Sequence, residues 1–188
     1  MTAVLYHAPN SRSDVIAVLV RLLKAGIEIR EVEIPRIDGS GGPDADNPHP
    51  EKKVPDLVDG DEDLRERGAI ITYLTDKYPE AGLGPLPGEA GRGAYLSWLF
   101  YYQGVMEPVI IMHMAGISHP MVMSGLRDFD TMMIRLSETL SQSPFLLGEK
   151  FSAADMLCSS PFFWLSSLVP EEGPVRDWVS RCAERMAA

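Results

Sequence analysis

The chain has 188 residues, enough for one large or two small domains, and 45% of them are hydrophobic, which allows a packed core. Its 17 basic and 27 acidic residues give a net charge of −10, which argues against nucleic acid or an anionic membrane as a partner. With no long apolar run, no signal-peptide pattern and two cysteines inside predicted helices, we expect a cytoplasmic protein without a membrane span or disulfide scaffold.

The first segment predicts a strand, a helix and a second strand. Residues 2–6 are typical of a buried strand, and apolar residues at helical spacing predict a helix over 15–22, with Gly26 as its stop. Apolar and charged residues then alternate over 27–34, which predicts a strand. Two strands joined by a helix should pair in parallel.

Residues 54–64 predict a hairpin of two short strands, and a helix follows it and stops near Tyr78-Pro79. Pro55 stands at the first residue of an apolar run, where a strand tolerates proline. If the Val54–Pro55 bond is cis, Val54 turns its N–H and C=O away from the sheet, where they can pair with an extended peptide. The alternative is an ordinary trans proline at a strand entry.

Residues 79–89 are rich in proline and glycine, as linkers are, and no strand is predicted after them. Two apolar stripes at helical spacing, over 95–106 and 126–140, predict two helices, and two more are expected over 152–168 and 171–187. We therefore expect an α+β protein with a βαβ–ββα domain (1–78), a linker (79–89) and an all-α domain (90–188).

Ser152 and Asp155 have the spacing of a capping box at the start of the third of these helices. The carboxylate of Asp155 should accept from the N–H of Ser152 and place negative charge at the positive end of the helix. We interpret this pair as a folding device and not as a catalytic one.

At this point the layout resembles the glutathione transferase superfamily, and in particular its bacterial members. The resemblance spans nearly the whole chain and rests on five segments in order: Asn47-Pro48-His49-Pro50 leading to Lys53-Val54-Pro55, Glu66-x-x-Ala69-Ile70, Tyr73-Leu74-x-Asp76-Lys77-Tyr78-Pro79, Tyr95-Leu96-x-Trp98-Leu99-Phe100, and Phe151-Ser152-Ala153-Ala154-Asp155. It implies a thioredoxin-like first domain that binds glutathione, an all-α domain against which a small apolar electrophile lies, and a homodimer that acts in detoxification.

The resemblance implies that the first helix begins at the thiol of glutathione. That thiol has a pKa of about 8.5–9, so at pH 7 little of it is the nucleophilic thiolate, which hydroxyl and N–H donors at a helix N-terminus can stabilise. Ser11 best matches the catalytic hydroxyl of the family, and Ser13 is the second candidate. Either could instead be only the N-cap of the helix. Many bacterial relatives have a cysteine where Arg12 stands, and its absence favours conjugation over redox chemistry; Arg12 could also supply positive charge to the thiolate.

The resemblance assigns the rest of the glutathione site to the proline turn and the second helix. Val54, ahead of Pro55, would pair its backbone with the cysteinyl unit, and Glu66 would meet the γ-glutamyl ammonium. Arg67 replaces the usual Ser or Thr, so it either grips the γ-glutamyl carboxylate or fills its place. The candidates for the glycyl carboxylate are Lys52, Lys53 and His49, which could equally be a solvated basic cluster.

For the electrophile, the candidates are Tyr101, Tyr102 and Met106, each of which could instead be core packing. The four histidines show no spacing typical of a metal site, so glutathione is the one small-molecule cofactor expected. The expected activity is conjugation of glutathione to the electrophile. The alternatives are a binding protein without turnover, or a glutathione-dependent peroxidase or isomerase on the same scaffold.

Overall fold

The computed structural model describes residues 2–187, which form two compact units that divide between Ala81 and Gly82. The first unit contains a four-stranded sheet with helices, and the second contains helices. The α+β class predicted from the sequence is therefore confirmed.

In the first unit, strands and helices follow the predicted order. They are β1 (Val4–His7), α1 (Asp14–Leu22), β2 (Glu28–Glu31), β3 (Asp56–Asp59), β4 (Glu62–Leu64) and α2 (Arg67–Lys77), with a 3-10 turn at Pro79–Ala81. The sheet order is β2-β1-β3-β4. The β1 and β2 strands pair in parallel, whereas β3 pairs antiparallel with β1 and β4, so the βαβ unit and the hairpin are both confirmed.

The core of the first unit lies between one face of the sheet and the helices. Strand side chains Leu5 and Leu57 are fully buried there, and so are Ile16 and Leu19 of α1 and Leu74 of α2. Alternate residues of β1 point to opposite faces, so His7 shares the buried face with Leu5. A histidine is thus built into the end of the strand that leads to α1.

Two boundaries in the first unit differ from the predictions. Helix α1 ends at Leu22, and the residue that follows it with a left-handed backbone is Lys24 (φ 50°), so Gly26 is not its stop. Strand β2 is shorter than 27–34, because the backbone N–H of Glu33 donates to the carboxylate of Asp44 (2.9 Å) and not to a neighbouring strand.

The second unit has more helices than the sequence predicted. They are α3 (Arg92–Tyr101), α4 (Glu107–Met114), α5 (Pro120–Gly125), α6 (Phe129–Gln142), α7 (Ala153–Trp164) and α8 (Pro174–Ala187). The first predicted stripe covers α3 and a π-helix, Tyr102–Met106, which runs directly into α4. The predicted helix 152–168 ends at Trp164 and is followed by a separate 3-10 turn, Ser166–Leu168.

The capping box at the start of α7 is confirmed. The fully buried carboxylate of Asp155 accepts from the N–H (2.9 Å) and the hydroxyl (2.7 Å) of Ser152. It also accepts from the N–H of Leu146 (2.8 Å) and the indole of Trp178 (2.9 Å). One carboxylate therefore ties together the start of α7, the preceding loop and α8.

Both cysteines, Cys158 and Cys182, are free and buried in the second unit, and burial raises the pKa of the Cys182 thiol. Within residues 2–187, the helices are all too short or too polar to cross a membrane.

Candidate functional site

One end of the sheet gathers the segments that the sequence analysis singled out. Because β3 runs antiparallel to β1, with Tyr6 opposite Asp56, the residues before β3 lie beside the residues after β1. Leu57 lies opposite Leu64, so the residues after β4 reach the same end. The loop before α1, the Val54–Pro55 turn and the start of α2 therefore converge.

At the start of α1, three buried side chains are joined by short hydrogen bonds. The hydroxyl oxygens of Ser11 and Ser13 lie 2.7 Å apart, and the Ser13 oxygen lies 2.7 Å from Nδ1 of His7. The exposed fractions are 6% for Ser11, 0% for Ser13 and 8% for His7. The structure thus brings both serine candidates together, and it adds a histidine that was not predicted.

Neither serine caps the helix with its side chain. Ser13 occupies the N-cap position of α1, but its hydroxyl makes no capping hydrogen bond. The hydroxyl is instead held by the N–H (3.2 Å) and C=O (3.3 Å) of Ala8, in addition to His7 and Ser11. The carbonyl of Ser11 accepts from the N–H of Asp14. The hydroxyls are therefore committed to a polar cluster and not to helix capping.

Burial lowers the pKa of His7 below its usual value, while the charges of Asp14 and Glu31 act in the opposite direction. Nε2 of His7 lies 3.8 Å from a carboxylate oxygen of Asp14, whose own pKa is raised by burial. The imidazole is consequently neutral at pH 7, and it can accept a proton.

Arg36 fixes the loop that leads to these serines. Its guanidinium donates to the carbonyls of Pro9 (2.7 Å) and Asn10 (3.0 Å), and Asn10 has a left-handed backbone (φ 55°). A cleft of about 370 Å³ adjoins the loop, lined by Pro9, Glu31, Val32, Glu33, Ile34, Arg36, Gly41 and Asp44. A planar guanidinium that bonds two successive carbonyls holds the backbone ahead of Ser11 in one conformation.

Directly before β3, the Val54–Pro55 peptide bond is cis, which is one of the two alternatives considered. Within residues 2–187, the backbone N–H and C=O of Val54 have no hydrogen-bond partner, and its side chain is half-buried. Lys53 is exposed and His49 is buried, with Nδ1 of His49 accepting from the N–H of Glu51 (3.0 Å). The backbone of Val54 is therefore available to a ligand.

Two charged residues begin α2. Glu66 is exposed and adopts a positive φ of 68°. Residues other than glycine rarely adopt this backbone conformation, and those that do are often found at functional sites. Arg67 follows as the first residue of the helix and is buried, with 5% of its surface exposed. Arg12 lies exposed between the two serines.

Asp56, directly after the proline turn, is fully buried. Burial and the neighbouring Asp63 raise the pKa of its carboxyl to about 7, although Arg65, with Nε at 3.9 Å, acts in the opposite direction. Nothing in the sequence around Asp56 indicated that its carboxyl would be buried with a raised pKa.

The electrophile candidates belong to the second unit, at the junction of α3 and the π-helix. Tyr101, Tyr102 and Met106 are all buried, and the guanidinium of Arg135 lies 3.8 Å from the ring centre of Tyr101. Their contact with a substrate stays a prediction. Among residues 2–187, no cluster of His, Cys, Asp or Glu side chains could hold a metal ion.

Sequence reasoning missed four residues that shape this end of the sheet: His7, Arg36, Asn47 and Asp56. Two of them carried a usable signal. His7 continues the buried alternation of β1, and Asn47 precedes Pro48 in a segment that the family resemblance had already singled out.

In a comparison with known proteins, both the N-terminal and the C-terminal part of the chain match domains of one family. The model of the glutathione S-transferase N-terminal domain matches residues 5–82, and that of the C-terminal domain matches residues 101–185. Disulfide-bond oxidoreductase YfcG of Escherichia coli is 29% identical over 170 residues, which cover 82% of the chain and 76% of that protein.

Solved structures show the same fold. A glutathione transferase from Methylococcus capsulatus superposes with a TM-score of 0.76 at 24% identity, covering 99% of this chain and 98% of the other. A sphingomonad glutathione S-transferase, solved in complex with glutathione, has a TM-score of 0.72 at 21% identity and covers 98% of both chains. With two domain models matched in order over most of its length, the chain belongs to the glutathione S-transferase superfamily.

Proposed function

We propose that the chain is a glutathione transferase that joins the thiolate of glutathione to a small apolar electrophile. The observation that carries the proposal is the convergence of three features at one end of the sheet. These are the Ser11–Ser13 hydroxyl pair at the start of α1, the unpaired backbone of Val54, and the charged start of α2.

The thiolate would lie at the start of α1. The free thiol of a cysteine has a pKa of about 8.5, and hydroxyl and N–H donors together with the helix dipole lower it. Ser11 is the hydroxyl that we assign to the sulfur, since it is the more exposed of the two serines, at 6% against 0% for Ser13. The Ser13 hydroxyl is hydrogen-bonded to the Ser11 hydroxyl and holds it in place. Arg12 would add positive charge near the thiolate.

The rest of the tripeptide would be held by groups around the same end of the sheet. The N–H and C=O of Val54, ahead of Pro55, pair with the cysteinyl unit as a strand would. Glu66 binds the γ-glutamyl ammonium, and Arg67 binds the adjacent carboxylate. Lys53 is exposed and free to meet the glycyl carboxylate, whereas the His49 ring is committed to its own loop.

In the reaction, the thiolate attacks an electrophilic carbon, a C–S bond forms, and the leaving group departs as an anion. The protein supplies a stabilised thiolate and proximity and forms no covalent bond itself. Tyr101, Tyr102 and Met106 remain our candidates for contact with the electrophile. We further propose that the enzyme is a cytoplasmic homodimer, with a glutathione-binding domain over 1–78, a linker over 79–89 and a helical domain over 90–188.

A second function is favoured by the likeness to a disulfide-bond oxidoreductase. In that reaction, the same thiolate attacks one sulfur of a disulfide and forms a mixed disulfide with glutathione, while the other sulfur leaves as a thiolate. A second glutathione then attacks the mixed disulfide and releases oxidised glutathione. Since both cysteines are buried in the second unit, glutathione would supply both thiols.

The test measures binding and both reactions on the same purified protein. Retention on immobilised glutathione is expected, followed by conjugation of an aryl chloride activated by nitro groups, monitored by absorbance. Ser11→Ala should lower kcat for conjugation by about tenfold to a hundredfold, because one donor to the thiolate is lost. Turnover of a glutathione-linked disulfide without conjugation would select the second function, and a protein that is not retained would contradict both.

A further inference from the structure

An unbroken line of hydrogen bonds connects the loop surface with the end of β1. It runs from the hydroxyl of Ser11 to the hydroxyl of Ser13 (2.7 Å) and on to Nδ1 of His7 (2.7 Å). All three residues are at least nine-tenths buried, so water does not compete for these contacts. Distances of 2.7 Å are typical of well-formed hydrogen bonds from hydroxyl groups.

Backbone N–H groups bond both hydroxyl oxygens of the line. The N–H of Ser13 donates to the Ser11 hydroxyl oxygen (3.1 Å), and the N–H of Ala8 donates to the Ser13 hydroxyl oxygen (3.2 Å). Each hydroxyl oxygen therefore accepts from the backbone and keeps a proton to donate, and we assign donation from Ser11 to Ser13 and from Ser13 to His7. The competing acceptor for Ser13, the carbonyl of Ala8, is farther away at 3.3 Å than Nδ1 of His7.

The imidazole at the inner end is suited to receive a proton. We assign Nδ1 as the acceptor from Ser13, which places the proton of the neutral ring on Nε2, 3.8 Å from the carboxylate of Asp14. The charged groups that act on the ring are Asp14 from α1 and Glu31, its partner on β2. Both are acidic and favour an imidazolium, whereas burial of the ring disfavours it and is the larger effect.

We propose that His7 takes up the proton of the glutathione thiol through Ser13 and Ser11. The proposal rests on the proposed function, because it requires that glutathione places its sulfur against Ser11. Two serines separate His7 from the sulfur. His7 therefore acts through them as a positioning residue and does not touch the substrate.

The transfer balances in protons and charge. The S–H bond breaks and its proton moves to the Ser11 oxygen, the Ser11 proton moves to the Ser13 oxygen, and the Ser13 proton moves to Nδ1 of His7. The products are a thiolate and an imidazolium. Ser11 then carries the former thiol proton and donates it back to the sulfur as a hydrogen bond. Once the conjugate has formed, the imidazolium releases its proton to solvent.

The experiment replaces His7 with an amide. In His7→Asn the side-chain oxygen can still accept from Ser13, but the residue cannot take up a proton. We expect kcat/KM for conjugation at neutral pH to fall about tenfold, with KM for glutathione unchanged, and activity to recover as the pH approaches the pKa of the free thiol. His119→Asn is the matched control, because His119 is exposed and its ring only caps α5, which asparagine also does.

A spectroscopic measurement follows the proton directly. In protein labelled with ¹⁵N-histidine, a pH titration should show a higher pKa of the His7 ring with glutathione bound than without it, and the Ser11→Ala variant should abolish this rise. A purely structural role for His7 predicts the same pKa in both states. A His7 pKa that is unchanged in the complex overturns the proposal.

Asp14→Asn keeps the proposal testable if His7→Asn does not fold, since the Asp14 side chain is 39% exposed. Loss of this charge lowers the pKa of His7 further, so the acid limb of the kcat/KM profile should move to lower pH. An unmoved acid limb, or an unchanged pH profile in a folded His7→Asn protein, contradicts the relay while leaving the proposed function intact. Absence of glutathione binding overturns the proposed function, and the relay with it.

Discussion

The side-chain amide of Asn47 donates a 3.0 Å hydrogen bond to the carbonyl of Lys53, the residue directly before Val54. Asn47 is fully buried, and its amide oxygen accepts from the N–H of His49 (3.0 Å). Its backbone carbonyl accepts from the ammonium of Lys52 (2.6 Å). The side chain and the backbone carbonyl of Asn47 therefore fix the conformation of the segment that leads into the Val54–Pro55 turn.

We predict that Asn47→Ala raises KM for glutathione about tenfold, because a buried amide that bonds the backbone contributes about 1–3 kcal/mol. The effect should be on binding, with kcat changed little, since the Asn47 side chain bonds Lys53 and His49 and the thiolate donors belong to the loop before α1. Steady-state kinetics with varied glutathione measure it. The neighbouring exposed residue offers a control, Asp46→Ala, and an equal KM in the two variants would contradict the assignment.

Arg36 should matter through geometry as well as charge. Because its guanidinium bonds the carbonyls of both Pro9 and Asn10, Arg36→Lys, which has a single ammonium, cannot restore both contacts. We expect kcat to fall about threefold to tenfold in Arg36→Lys and in Arg36→Met, as Ser11 loses its fixed position. Arg30→Met, at an exposed arginine paired with Glu28, is the control. Full activity in Arg36→Lys would show that only the charge is needed.

Glu66 should display opposite effects on stability and binding. Its φ of 68° is unfavourable for a residue with a side chain, so Glu66→Gly should raise the free energy of unfolding by about 0.5–1 kcal/mol. The same change removes the carboxylate and should weaken glutathione binding about tenfold. Lys24→Gly, at another positive φ (50°) in the same unit, should gain stability without loss of binding. Denaturant titration and calorimetry would detect both effects, and unchanged affinity in Glu66→Gly would remove Glu66 from the site.

The raised pKa of the Asp56 carboxyl should make the free energy of unfolding depend on pH. The pKa of its carboxyl is raised to about 7 in the folded chain, above the value of 3.8 expected when it is unfolded. Between these two pH values the unfolded chain gives up the proton while the folded chain retains it, so stability falls as the pH rises through this window. Asp56→Asn should abolish that fall and stabilise the protein above pH 7. Urea denaturation at several pH values measures it, and Asp59→Asn should act with the opposite sign, because Lys77 lowers the pKa of Asp59.

The order of elements in the first unit and the start of α7 were predictable because their signals are local. Strand alternation and helical spacing are visible within a few residues, and Asp155 completes a capping box three residues after Ser152. The stretch 107–125 was harder. In α4 the apolar residues surround the helix and show no single stripe, and α5 has only six residues, so periodicity could not separate the two helices.

The site was predictable only as far as local sequence and family resemblance reach. Ser11 and Ser13 were identified by their place before a helix, but the bond from Ser13 to His7 depends on how tightly the chain turns between β1 and α1. The raised pKa of Asp56 likewise depends on its burial and on Asp63 of the paired strand β4, which the residues next to Asp56 in sequence do not reveal.

Stabilisation of a thiolate by the hydroxyls at the start of α1 is the central step of the proposed reaction. The most direct test is the pKa of the thiol of bound glutathione, obtained from the ultraviolet absorbance of the thiolate as a function of pH. We predict a pKa at least about one unit below the free value of about 8.5, with Ser11→Ala moving it back toward that value. A bound thiol that titrates with the pKa of free glutathione would contradict the account.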